Sequence, residues 1–164
     1  QVENELFKIP TKEFVASADV FASMFSLPSS GQPQGTDQSN PMVLEGYKKA
    51  EFVALLKVLY PSSASLAKDG LNLDLSKEEW SAALKLATVW GMQPIRDFAI
   101  SRLSSPDSDV SLSPLDKIIF GRTHRVAKWL REGLVALTES PLQPLAELKV
   151  LDWETVALIY CIRD

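Results

Sequence analysis

The chain has 164 residues, 46% of them apolar and 23% charged, and its net charge is −4. These values suit one globular domain, with room for a small appendage. The negative charge argues against nucleic acid and anionic membranes as partners, because both need a cationic surface, and no apolar run reaches membrane-spanning length. A single cysteine, Cys161, excludes an internal disulfide and a multi-cysteine zinc site. With no signal peptide visible, we expect an intracellular protein, cytoplasmic or nuclear.

Residues 1–9 indicate the end of one strand, a turn at Glu3 and Asn4, and a second short strand that Pro10 closes. Because the chain begins at Gln1, we expect most of the first strand to lie upstream. A short helical turn is predicted over residues 11–16, and Ser17 is a candidate cap for a helix over residues 18–25. Residues 28–41 are almost wholly Pro, Gly, Ser, Gln and Asn, which predicts a flexible surface loop.

A short strand at residues 42–44 leads into an amphipathic helix predicted over residues 48–60. Its apolar residues Phe52, Leu55, Leu56 and Leu59 recur at helical spacing, so we expect them to form the buried face. Pro61 ends this helix, since proline lacks an N–H and disfavours helical geometry in the residue before it.

A capping box formed by Ser76 and Glu79 predicts the start of the next helix, and Gly91 is placed to end it. Pro94 favours the first turn of a further helix. The polar break at residues 104–112 separates a core domain, residues 1–103, from a C-terminal helical extension, residues 104–164, which we expect to pack on that core. In the extension, a first helix is predicted to start at Ser113 and Pro114, a short helix lies near residues 145–149, and a last helix covers residues 152–162. Between the first and the short helix, a clear helical stripe is formed by Val126, Trp129, Leu130, Leu134 and Leu137.

This ordered series resembles the BTB/POZ domain, in the form abundant in basidiomycete fungi. The resemblance covers nearly the whole chain and is carried by Leu6–Pro10, Phe21–Pro28, Asn40–Gly46, Phe52–Pro61, Trp80–Gly91 and the Trp129–Arg131 segment. It implies an α+β fold, a BTB/POZ-like helical cluster flanked by a few short β-strands. It also implies a non-catalytic role in protein–protein association: homodimers form through the N-terminal strand and first helix, and some branches recruit a cullin-type ubiquitin ligase. Two departures are Pro10 or Thr11 where many such domains have histidine, and the truncated first strand.

Aromatic residues crowd the N-terminal quarter, and a short first helix cannot bury every face. From this spacing and the resemblance we predict a protein-interaction surface for self-association made of Leu6, Phe7, Phe14, Val15, Phe21 and Phe25. If the partner is a cullin, the contacts would instead come from residues 52–60, the loop 61–75 and the tail after residue 112.

Other chemistry has weak support in the sequence. His124 and Cys161 could form a nucleophilic pair, or His124 could mark an enzyme or small-ligand site between the core and the C-terminal helices, but a loop histidine and a core cysteine are the simpler interpretation. One histidine without a second at ligand spacing makes a metal site improbable, and no glycine-rich phosphate loop is present, so we predict no catalytic residue, metal or cofactor. A basic run could bind phosphate but is more typical of a solvated helical face; it comprises Lys117, Arg122, Arg125, Lys128 and Arg131.

Overall fold

A computed structural model describes residues 1–26, 34–35, 37–62, 73–141 and 146–163, apart from the side chains of Asp19, Phe25 and Arg163. The chain divides into two compact units, Gln1–Ser105 and Pro106–Asp164. The boundary predicted after residue 103 falls close to this division. That the second unit packs on the first stays a prediction.

The first unit is built from five described helices. They are α1 (Thr11–Ser17), α2 (Asp19–Ser26), α3 (Lys49–Leu59), α4 (Lys77–Val89) and α5 (Gln93–Ser104). Helix α4 packs against both α3 and α5, and α1 lies against α2. The fully buried side chains of this unit include Leu55, Trp80, Leu84, Leu86, Met92 and Leu103.

The predicted α+β, BTB/POZ-like architecture is wrong, because the residues described form no sheet. The segments predicted as strands make only two isolated bridges, in which Val2 pairs with Glu5 and with Leu44. The turn predicted at Glu3 and Asn4 is confirmed, since Glu3 adopts a φ of 51° and Val2 and Glu5 exchange backbone hydrogen bonds at 3.0 and 3.1 Å, but the strands predicted on either side of it do not form. Single-residue pairings of this kind present no continuous apolar face, and a stable sheet needs about three strands with such a face.

Helix α3 forms close to its predicted bounds, but its buried face is rotated. Phe52 and Leu55 are buried as predicted, whereas Leu56 and Leu59 are only half-buried and Ala54 and Val58 are buried in their place. The reason is that α4 covers α3 from one side: Lys57 pairs with Glu79, and Lys85 pairs with Glu51 across the same helix pair. The periodicity had indicated the existence of the helix correctly and its orientation only in part.

The residues that start and end helices are predicted well where they depend only on their neighbours in the sequence. The Ser76–Glu79 capping box is confirmed: the Glu79 N–H donates to Ser76 Oγ at 3.2 Å and the Ser76 N–H donates to Glu79 Oε2 at 2.9 Å. Gly91 follows the end of α4 with a φ of +67°, and Pro94 lies in the first turn of α5. The cap predicted at Ser17 is wrong, because Ser17 ends α1 and its hydroxyl donates to the Glu13 carbonyl at 2.7 Å.

The second unit consists of α6 (Pro114–Thr123), α7 (Ala127–Glu139), a 3₁₀ turn (Leu148–Val150) and α8 (Trp153–Arg163). Two glycines allow α6 and α7 to approach closely: a Cβ on Gly121 would lie 2.7 Å from the Leu130 nitrogen, and one on Gly133 would lie 2.6 Å from the Pro114 oxygen. The core of this unit comprises Ile118, Leu137, Leu148, Leu151, Val156 and Ile159, with Leu130 and Leu134 packed against it.

Half of the predicted loop 28–41, most of the loop 61–75 and the first residue of the short helix near residues 145–149 lie outside the described residues.

Candidate interaction surface

Two of the six residues predicted for a contact surface lie in the core. Phe14 and Phe21 are buried, with ring centroids 4.5 Å apart, and both rings contact the buried Trp90 at 5.8 and 5.2 Å. Edge-to-face clusters of this kind are typical of a packed interior. While the first unit keeps this fold, neither ring is presented to a partner.

The other four predicted residues have mixed environments. Leu6 is exposed, Val15 is half-buried, and Phe7 packs edge-on against Phe52 with centroids 5.0 Å apart. The side chain of Phe25 lies outside the part that the structure describes. The structure therefore does not bring the six residues together on one exposed surface, and their role in association stays a prediction.

Helix α8 presents an exposed apolar surface. One side of this helix is covered: Val156 and Ile159 are buried in the core of the second unit, and Tyr160 packs against that core. The opposite side presents Trp153, Ala157, Leu158, Cys161 and Ile162, which we name the α8 face. Trp153 is 76% exposed, Leu158 60% and Ile162 68%, Cys161 is exposed, and Ala157 is partly exposed.

The α8 face consists of two adjacent ridges, because residues four apart lie nearly in line on a helix. One ridge is Trp153, Ala157 and Cys161, and the other is Glu154, Leu158 and Ile162. The first ridge carries a large side chain, Trp153, at its N-terminal end and a small one, Cys161, at its C-terminal end. Glu154 is the only charged residue of the two ridges, and Val150, which precedes the helix, is also exposed.

A hydrogen-bonded network fixes the start of α8. Asp152 Oδ1 accepts from the Thr155 N–H at 2.9 Å, which is the bonding of a helix N-cap, and the Thr155 hydroxyl also donates to Asp152. Arg122 of α6 donates to both Asp152 and Thr155. The hydroxyl and N–H of Thr155, together with the Arg122 guanidinium, hold the pKa of the Asp152 carboxyl well below its usual value. The helix is therefore anchored in one rotation, with its apolar face outward.

The residues considered for catalysis lie on different elements, and several of those considered for phosphate binding are engaged in ion pairs. His124 is buried at the end of α6 against Phe120, with ring centroids 5.6 Å apart, whereas Cys161 is on the exposed α8 face. Three cations of the basic run are engaged in ion pairs: Lys117 and Lys128 with Glu132, at 2.9 and 3.8 Å, and Arg122 with Asp152. Within the described residues, no group of three His, Cys, Asp or Glu side chains could hold a metal ion. The same part of the chain contains no helix with the length and apolar character needed to cross a membrane.

The α8 face was not predicted from the sequence, although a signal for it exists. The helix Trp153–Arg163 carries apolar residues around its whole circumference rather than along one stripe. A helix of this kind is normally covered on all sides. The core position predicted for Cys161 is wrong: the cysteine is exposed, because α8 packs on its core through the side that carries Val156, Ile159 and Tyr160.

No family model, curated protein or solved structure matches this chain.

Proposed function

We propose that this chain is a non-catalytic protein–protein interaction module that binds its partner through the α8 face. The observation that carries the proposal is the exposure of Trp153, Leu158 and Ile162 on the uncovered half of one anchored helix.

The clustering of these side chains distinguishes α8 from the rest of the described surface. Exposed apolar residues elsewhere are fewer on any one element: Val20 (55%) and Met24 (37%) share α2, whereas others, such as Val89 and Val135, lie singly, and isolated residues of this kind are ordinary. On α8, Trp153, Leu158 and Ile162 share the uncovered half of one helix, where Ala157 and Cys161 lie between them. Burying a single leucine or isoleucine is worth about 1.5–3 kcal/mol, so leaving several in water on one helix is costly unless a partner covers them.

The composition of the face suits a protein partner. Interface centres are depleted in charge and enriched in aromatic residues, and tryptophan is prominent among residues that dominate binding energy. The α8 face has Trp153 at one end and Glu154 as the only charge of its two ridges. The Asp152–Arg122 anchor holds the helix in place before binding, which reduces the entropy lost on association.

Site-specific photo-cross-linking in cells that express the chain tests this function. A photoreactive phenylalanine analogue at position 158 reports proteins that touch the α8 face. The same analogue at position 89 is the matched control, because Val89 is similarly exposed, at 56%, but lies on α4 of the first unit. We expect a discrete protein adduct, identified by mass spectrometry, from position 158 and not from position 89.

Two results would contradict the proposal. The first is the absence of any adduct at position 158, and the second is equal capture of the same proteins from both positions. Equal capture would indicate nonspecific contact with exposed apolar groups rather than a binding surface.

A further inference from the structure

We propose that the partner on the α8 face is a second copy of this chain, with the two α8 helices antiparallel about a two-fold axis near Ala157. This inference rests on the proposed function and names its partner. A two-fold dimer requires one surface that is complementary to itself, so that residue i of one copy meets residue j of the other and the reverse.

The size pattern of the first ridge is complementary to itself only in the antiparallel direction. Trp153 lies at one end, Cys161 lies at the other, and Ala157 is midway between them. Antiparallel pairing places the large Trp153 of each copy opposite the small Cys161 of the other. Parallel pairing would place the two tryptophans against each other and leave a gap at the two cysteines.

The charge pattern favours the same direction. In an antiparallel pair the two Glu154 side chains lie toward opposite ends of the interface, separated along the helix axis by roughly 10 Å, because each residue adds about 1.5 Å. That separation matches the screening length of about 10 Å at 0.1 M salt. A parallel pair would bring both carboxylates together. Antiparallel helix dipoles also attract each other, whereas parallel ones repel.

The available area limits the size of the interface. Val150, Trp153, Leu158 and Ile162 together expose apolar surface on the order of 500 Å² per copy, given that a tryptophan alone offers about 150–250 Å². Pairing two copies would bury at most roughly twice that amount, near the lower end for specific interfaces, because Leu158 and Ile162 lie to the side of the first ridge and are covered only in part. We therefore expect a reversible dimer with a dissociation constant in the micromolar range.

Trp153 provides a native probe of the pairing. It is 76% exposed, whereas the other three tryptophans, Trp80, Trp90 and Trp129, are buried. Acrylamide should therefore quench mainly Trp153 in the monomer. As the protein concentration rises through the micromolar range, we expect this quenchable fraction to disappear in step with dimer formation measured by sedimentation velocity.

Two variants distinguish a complementary interface from nonspecific apolar association. Leu158→Asp places a charge in the centre of the face, and we expect it to weaken the dimer at least about tenfold. Cys161→Trp keeps the face apolar but clashes with the partner's Trp153 in the antiparallel arrangement, so it should also weaken the dimer, whereas a nonspecific apolar contact would become tighter. Val89→Asp is the control and should leave the dimer unchanged. Circular dichroism verifies that each variant folds. If Leu158→Asp does not fold, Cys161→Trp alone tests the pairing.

The inference is overturned if the chain remains monomeric with Trp153 quenchable at every concentration. It is equally overturned if a dimer forms that folded Leu158→Asp does not weaken, since that dimer would use another surface, or that Cys161→Trp does not weaken, since Trp153 and Cys161 would then not be paired. A monomeric chain whose position 158 still cross-links to a different protein in cells would refute self-pairing and leave the proposed function intact. A monomeric chain without any such cross-link would contradict both self-pairing and the proposed function.

Discussion

At the scale of single residues, Gly133 shows how close contact overrides helix propensity. It lies in the middle of α7, where glycine ordinarily costs about 0.5–1 kcal/mol relative to alanine. A Cβ at this position would lie 2.6 Å from the Pro114 oxygen and 2.8 Å from Ile118 Cγ1. The missing side chain is what allows α6 and α7 to cross so closely.

We predict that Gly133→Ala destabilises the second unit, although the same change stabilises most helices. The added methyl group forces the helices apart, and overpacking of this kind costs about 1–3 kcal/mol. The measurement is urea unfolding followed by circular dichroism, with the exposed Arg131→Ala on the same helix as control. A higher unfolding midpoint for Gly133→Ala would show that the crossing is looser than the structure indicates.

Asp152 links the pH to the stability of α8. Its pKa is lowered in the folded chain by Thr155 and Arg122, so it stabilises the folded state above its unfolded pKa of about 3.9. This contribution is lost as the pH falls below that value toward the folded pKa.

We therefore predict that Asp152→Asn lowers stability at pH 7 and that the difference from the native chain shrinks as the pH falls from about 5 to about 2. Asparagine is as good an N-cap as aspartate, so the variant removes the charge and its attraction to Arg122 while keeping the cap. Thermal unfolding across this pH range measures the difference. Glu154→Gln, which neutralises a neighbouring exposed carboxylate, is the control, and a difference from the native chain that does not change with pH would exclude the linkage.

At the scale of elements, α3 provides a matched pair for testing which face is buried. Leu55 is fully buried, whereas the adjacent Leu56 is half-buried. We predict that Leu55→Ala costs about 2–5 kcal/mol, as complete truncation in a core does, and that Leu56→Ala costs clearly less. Denaturant unfolding of the two variants measures this. Equal losses would mean that the face centred on Leu56, expected from periodicity, is the correct one.

The contrast between helix ends and strands explains what the sequence could predict. The capping box of Ser76 and the turn at Gly91 depend on residues within a few positions, so they were predictable. The segments around Val2 and Leu44 required pairing across some forty residues, and strand formation depends on such neighbours more than on intrinsic preference.

The candidate surface was missed for a related reason. Apolar residues such as Leu158 and Ile162 have the same composition whether a core or a partner covers them. The sequence could indicate that α8 prefers to be covered, but only the packing of Val156 and Ile159 decides which side remains outside.

At the scale of the whole molecule, charge and apolar surface predict opposite responses to salt. Each copy carries a net charge of −4, so two copies repel each other weakly, while the α8 face proposed as their contact is nearly neutral. Screening reduces the repulsion and does not weaken the apolar contact.

We predict that the dimer becomes tighter as NaCl is raised from about 0.01 M to about 0.15 M, which shortens the screening length from about 30 Å to about 8 Å. Replacing part of the NaCl with sodium sulfate at equal ionic strength should tighten it further, because sulfate strengthens apolar burial. Sedimentation equilibrium across these conditions measures the dissociation constant. A dimer that weakens as salt rises would instead depend on ion pairs, and the exposed cations Arg125, Lys128 and Arg131 near and on α7 would then replace the α8 face as the contact to test.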